Sequence, residues 1–336
     1  MPTVTRYPLT AFATIALLIF SSIAPSAAEL DLPFPLNTEI VFWLRPQLIS
    51  NDANLTNLFA QSKLVRHYLD LIGLSTNHVD YAAVFMPHDQ VWMTRITNGA
   101  IENLPASAAM IIKGAFDPAA KYKHVKSSGW REEKYANKKL LWWSTGVAYL
   151  KQASGGECMA RLGNDKLLIA GSEESLKGVL DVAGDKTTGI ESMGVMQDIS
   201  SGFFENDLAM SAAFIKVTDD FRQMVKAGIG EQQSAMIRTA IGYVDNVDEM
   251  AISVINGPGN YLFDAYLGMD SGNNAIIVTS VLQAGGGMAG LLPEDAPGRA
   301  TLENLTATRS GRIVKVQSRM PHDQLYQLLG HGNHQY

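Results

Sequence analysis

Lys121 to Tyr149 holds seven cations, at 121, 123, 126, 131, 134, 138 and 139, against Glu132 and Glu133. The same stretch carries Tyr122, Trp130, Tyr135, Trp142, Trp143 and Tyr149. Aromatic faces beside ammonium and guanidinium groups suit a sugar ring, an anionic polymer or the surface of a partner protein. In Lys139-Leu140-Leu141-Trp142-Trp143, strand alternation sends the two indoles to opposite sides. Unless both faces are covered, one ring is exposed. Trp130, Lys138, Lys139, Trp142 and Trp143 are therefore the candidate binding residues. The competing reading is a hairpin with one core Trp and ordinary solvated lysines.

Other chemistry-bearing residues are weaker signals. The pentapeptide MPHDQ occurs at Met86–Gln90 and again at Met320–Gln324. Adjacent His and Asp side chains do not converge on one point, so a site there needs ligands from elsewhere. The first copy reads as a turn and the second as a helix start opened by Pro321 and Asp323. Gly285 to Gly290 is glycine-rich, but no Lys-Ser/Thr follows, so it reads as close helix packing or a helix break rather than a phosphate loop. Cys158 is the sole cysteine, which excludes an intramolecular disulfide, and no His lies near it in sequence. The G-x-S-x-G, H-E-x-x-H and C-x-x-C patterns and an EF-hand loop are all missing. The expectation is a non-catalytic protein with no cofactor and no metal. A hydrolase with dispersed residues, with His88 and Asp89 nominated, is the alternative.

The elements that position these residues follow from the rest of the chain. Of 336 residues, 46% are hydrophobic and 18% charged, enough for two cores. Arg6 is the only charge in residues 1–28, Ala11 to Ala24 is a largely apolar run, and Ser26-Ala27-Ala28 offers small residues before Glu29. That is the three-part pattern of a secretory signal peptide, with a retained anchor as the competing reading. Without Arg6 the chain carries 26 Lys+Arg against 33 Asp+Glu, a net of −7. A mildly acidic surface makes no case for nucleic acid. The expected setting is periplasmic or secreted, with no stable transmembrane span after cleavage. The expected partner is an envelope glycan, an anionic polymer or another protein.

The chain reads as strands crossed by helices. Strands are expected over 38–44, 79–86, 91–96 and 108–116, with helices over about 55–72 and from Pro118 to about Lys126. In Arg161 to Gly184, Gly163-Asn164 turns one strand into the next. Ser172 caps a helix whose first turn holds Glu173 and Glu174, and Gly184 sits where a left-handed cap belongs. Residues 185–206 lack periodicity and read as a linker. A second half begins with a strand over 208–217 and a helix capped by Thr218. A further helical piece is expected from about Ser234. A hairpin around Asn256 to Asn260 follows, and then an apolar stretch from Asn273. The half closes with a hairpin over 302–319 and a helix from Pro321 to Leu329, before a flexible tail over 331–336.

The two halves look alike. Ile72-Gly73 with Val79 to Val84 matches Ile241-Gly242 with Val247 to Ile252, each after a long helix and at the start of a strand. The fold class is therefore α+β, with domains over 29–184 and 207–330. These are read as diverged tandem repeats, each an antiparallel sheet with helices packed on one face. With its exported start, its tandem halves and the segments Ile111 to Asp117 and Leu168 to Ser172, the chain resembles uncharacterised exported bacterial proteins carrying domains of unknown function. The resemblance covers most of residues 38–330. It implies a bacterial envelope setting and brings no site with it.

Overall fold

The computed structural model describes residues 33–35, 37–51, 63–87, 104–127, 130–135, 137–142, 158–184, 209–228, 244–287 and 299–322. The expected signal peptide, the strand over 91–96, His88, Asp89, Trp143, the linker, the helix from Ser234, the last helix and the tail lie outside the described residues. What is described is α+β and falls into two compact units, one within 21–211 and the other within 212–336.

The first unit runs β1 (Ile40–Leu44), α1 (Pro46–Asn51), α2 (Lys63–Ile72), β2 (Tyr81–Met86), β3 (Ala109–Lys113) and α3 (Pro118–Ser127). It continues with β4 (Arg131–Tyr135), β5 (Lys138–Trp142), β6 (Cys158–Leu162), β7 (Lys166–Ala170) and α4 (Glu173–Val182). Its strands lie in the order β1-β2-β3-β7-β6-β5-β4, every pairing antiparallel. Gly163 takes the left-handed conformation, φ 67°, that the β6–β7 turn requires. At the start of α4 the Ser172 hydroxyl accepts a bond from the Ser175 N–H at 3.3 Å. Glu173 and Glu174 occupy the positive first turn. The helix buries Leu176, Val179 and Leu180, each worth about 1.5–3 kcal/mol when fully withdrawn from water. Gly184 departs from expectation. The helix ends on Ala183 in the right-handed region, φ −63°, and Gly184 is not among the glycines at positive φ. The Ala183 N–H simply continues the ladder to the Val179 carbonyl.

The expectation of helices on one face is corrected in this unit. Every residue of β1, β2 and β7 is buried, so both faces of the sheet are covered. Strand alternation and the pairing register put Glu132, Lys139 and Leu141 on one face, and Tyr135 and Leu140 on the other. Lys126 of α3 reaches Glu132 on the first face, and Asp181 of α4 meets Tyr135 on the second. The helices thus sandwich the sheet. Runs such as IVFWL and KLLIA are the signature of strands buried on both sides, since neither run alternates with polar residues.

The second unit holds most of β8 (Ala209–Lys216), then α5 (Asp219–Gly228), β9 (Val247–Gly257) and β10 (Asn260–Met269). It ends with α6 (Gly272–Gly287), α7 (Arg299–Glu303), β11 (Thr306–Ser310) and β12 (Ile313–Pro321). Its strand order is β8-β9-β10-β12-β11. The Thr218 hydroxyl caps α5 by accepting from the Phe221 N–H at 3.3 Å. The β9–β10 turn uses Gly259 at φ 76°, as the NGPGN segment requires. Phe221, Val247, Met269, Ala275, Val278 and Val314 form the core between α5, α6 and the sheet.

Two expectations fail here for local reasons. Leu302 is helical rather than extended. The Arg299–Glu303 ion pair at 2.6 Å and the Asn304 amide, donating to the Ala300 carbonyl at 2.7 Å, close a short turn before β11. Met320 and Pro321 end strand β12, and the chain turns helical at His322, one residue later than expected. In the glycine-rich run, α6 continues through Gly285 to Gly287. A Cβ on Gly286 would lie 3.2 Å from the Leu305 carbonyl, whereas Gly285 and Gly287 have nothing within 4 Å. Gly285→Ala is therefore expected to stabilise the protein by about 0.5–1 kcal/mol in urea unfolding, through reduced freedom of the unfolded chain.

The two units share one pattern. Strand, helical segment, two strands, helical segment, two strands describes each once the β4–β5 hairpin and α4 are set aside and α1–α2 and α6–α7 each count as one segment. The sheet orders β1-β2-β3-β7-β6 and β8-β9-β10-β12-β11 then correspond strand for strand. Among the described residues, the second unit has no counterpart of β4 and β5.

Candidate functional site

The hairpin β4–β5 extends the sheet of the first unit beyond β6 and ends it at β4. Its turn rests on Asn137, the one described non-glycine residue at positive φ, 64°. Asn tolerates this conformation because its short polar side chain can bond locally. The turn fixes the register, which sets Lys134 directly opposite Lys139 and Tyr135 opposite Lys138.

That register concentrates charge. Lys134 and Lys139 share one face with Glu132, and like charges directly opposite in a sheet repel. Glu132 is the carboxylate between them and α3. It takes a 2.9 Å bond from Lys126 and lies 3.6 Å from the Lys139 ammonium. The Lys126 bond chiefly holds the Glu132 carboxyl below its usual range, with both lysine charges adding to the effect. Two ammonium groups thus belong to one carboxylate, with Lys134 on the same face, and the Lys139 side chain is 62% exposed. Lys123, Arg131 and Lys134 are exposed as well.

The other face anchors the hairpin. The Tyr135 hydroxyl donates to Asp181 at 2.8 Å, and the Lys177 ammonium lies 4.9 Å from the centre of the Tyr135 ring. The hydrogen bond to Glu173 chiefly raises the Lys177 pKa. Tyr135 is therefore clamped to α4 by a hydrogen bond and a cation–π contact, so the charged hairpin is held in one orientation. From α3, Lys121 donates to the Gly73 carbonyl at the end of α2.

Trp130 corrects the sequence expectation. It is 4% exposed, so its ring packs in the interior and offers no surface to a ligand. The argument that one of Trp142 and Trp143 must be exposed also loses its premise. Leu140 and Leu141 point to opposite faces of β5 and are 1% and 0% exposed, so β5 is covered on both sides at these two positions. The backbone of Trp142 pairs with Arg131 and Cys158. Of the candidates, Lys138 and Lys139 are neighbours on β5 but are not brought together: Lys139 is exposed on the face of Glu132, and Lys138 is half-buried on the opposite face with Tyr135. Lys126 and Lys134 belong to the same charged face, although sequence reasoning left them out. The Ala136-Asn137 pair in the sequence was the signal, because a two-residue turn expected there would fix which lysines oppose each other.

Burial chiefly drives the Tyr122 phenol of α3 far above its ordinary pKa of 10.0, and the Glu132 charge adds to the shift. A raised folded pKa favours the neutral phenol. Its stabilising effect is complete below the unfolded value and fades as pH climbs above 10.0 towards the folded value. Thermal unfolding should therefore show a fall in Tm above that pH. Tyr122→Phe is expected to flatten the fall, and an unchanged slope would place the alkaline sensitivity elsewhere.

Cys158 is fully buried, its thiol donating to the Ser172 carbonyl at 2.9 Å, which is the packing role the sequence suggests. Among the described residues, no group of three or more His, Cys, Asp or Glu is placed to hold a metal ion. Also among them, no helix is long and apolar enough to cross a membrane.

No family model matches the chain, and no curated protein matches it. Among solved structures it is similar to TP0453, a Treponema protein, in several crystal forms. Crystal form III gives a TM-score of 0.44 at 11% identity, over 88% of this chain and 98% of that one. Crystal form IV gives 0.45 at 10% identity, over 88% of this chain and 96% of that one. No residue role is carried across at this similarity.

Proposed function

We propose that the protein is an exported, non-catalytic binding protein of the bacterial envelope, built from two diverged copies of one α+β unit. Its ligand is an anionic envelope glycan, and the β4–β5 hairpin receives it. The observation that carries this reading is the Lys134–Lys139 pair. Two exposed ammonium groups sit directly opposite each other with Lys126 alongside, and among the described residues Glu132 is the carboxylate bonded among them. Such an arrangement costs stability in the free protein and is relieved when an anion arrives. The matching element orders of the two units support duplication, with the hairpin as an addition to the first copy. The N-terminal pattern of residues 1–28 supports export.

Trp142 and Trp143 remain candidates for stacking on a sugar ring, next to the cations. The test is to replace each singly by Ala and measure retention on immobilised anionic glycan from envelope extracts, with circular dichroism as the folding control. Weaker retention by at least one variant supports the stacking role. Unchanged retention by both removes the indoles from the site and leaves the lysines to account for binding.

A further inference from the structure

Strand β11 ends the sheet of the second unit, and the corresponding strand of the first unit is β6. The outer edge of β6 is filled by antiparallel pairing with β5. Among the described residues, the outer edge of β11 is not filled. We propose that β11 pairs antiparallel with β11 of a second copy of this chain, across a twofold axis at Thr308. This goes beyond the binding reading and does not depend on it.

The register shows which backbone groups are available. Ser310 pairs with Ile313 across the two-residue turn Gly311-Arg312, so Ser310, Thr308 and Thr306 bond to β12. Ala307 and Arg309 then direct their N–H and C=O groups outward. The Gln283 side chain of α6 donates to the Ala307 carbonyl at 2.9 Å, as expected for a carbonyl outside the ladder. A carbonyl oxygen has two lone pairs, so that bond leaves room for a second donor. Pairing about Thr308 matches Ala307 with the second copy's Arg309, and Thr306 with its Ser310. No two like charges oppose each other, and Thr308 meets Thr308, a favourable cross-strand pair.

Two further observations favour a second copy at this edge. Four of the five β11 residues are exposed, and Arg309 is its one charged residue. The other terminal strand, β4, reads REEKY and carries the charges that block edge pairing. In addition, Ile276 of α6 is 45% exposed. It lies one heptad before Gln283 and so faces the same side of the helix, towards the open edge. Two copies related by the twofold would bring their α6 helices near each other and cover this side chain.

The test is sedimentation equilibrium over a wide concentration range, on protein recovered from cells expressing the full chain. Arg309→Pro removes an outward N–H without touching the β12 ladder, and is expected to weaken the dimer about tenfold or more. Thr308→Glu places two carboxylates opposite each other across the axis, while within one chain it faces Lys315 favourably. Mixing Thr308→Glu with Thr308→Lys should restore an association that each variant alone has weakened. A wild-type protein that stays monomeric up to ~100 μM, or a dimer as tight in Arg309→Pro as in wild type, overturns the proposal.

Discussion

Lys134→Glu combined with Lys139→Glu should weaken binding to an anionic glycan by about 30-fold at low salt. Two attractions are lost and two repulsions gained, each worth about 0.5 kcal/mol at an exposed site, or about 2 kcal/mol together. The fold should tolerate the change. Both residues lie on an exposed part of the terminal hairpin, and one like-charge pair replaces another. The loss falls mainly on the 3.6 Å contact between Lys139 and Glu132. Titration calorimetry at two salt concentrations checks the expectation. The difference between wild type and variant should shrink at high salt, because the Debye length falls from about 10 Å at 0.1 M to about 3 Å at 1 M. Equal affinities at low salt would dissociate the lysine pair from binding.

Gly171→Ala should destabilise the protein by about 3 kcal/mol or more, among the largest effects expected of a single methyl group at the described residues. A Cβ there would lie 2.0 Å from the Pro105 carbonyl oxygen and 2.6 Å from its carbon. Both are backbone atoms, so no rotamer change relieves the clash. Gly171 also donates to the Ala108 carbonyl at 3.0 Å and stands directly before the Ser172 cap. A shift of Gly171 would therefore strain β7, the start of β3 and the entry to α4 together. Gly114 has the same character, since a Cβ on it would stand 1.9 Å from the His78 carbonyl oxygen. Urea unfolding gives the comparison, and a loss below about 1 kcal/mol would show that the backbone at Pro105 yields.

Much of the fold is legible where one local rule suffices. The β6–β7–α4 segment combines a Gly163 turn, a Ser172 cap and a helical stripe of Leu176, Val179 and Leu180, all pointing to one structure. The NGPGN turn between β9 and β10 is legible for the same reason. What could not be read depends on distant partners. Trp130 stands among charged residues, and no local period shows that its ring is buried. Cover on both faces of the first sheet was signalled by the unbroken apolar strands β1 and β7, but which helices supply it follows only from register. The end of α4 went the other way. Gly184 stands where a left-handed cap is common, yet the helix closes through an ordinary Ala183 bond.

The charged face of the candidate site was half legible. Adjacency in sequence picks out Lys138 and Lys139, but only Lys139 lies on that face; Lys134 joins it only through the pairing register, and Lys126 only through its bond to Glu132 from another element. Trp130 misled because aromatic residues near cations serve cores as readily as ligands.

Hydrogen–deuterium exchange with and without an anionic envelope glycan tests the central claim most directly. Slower exchange across Arg131 to Trp142, with the β9–β10 turn at Pro258-Gly259 unaffected, is the predicted result. Binding that leaves the exchange of Arg131 to Trp142 unchanged would contradict the account.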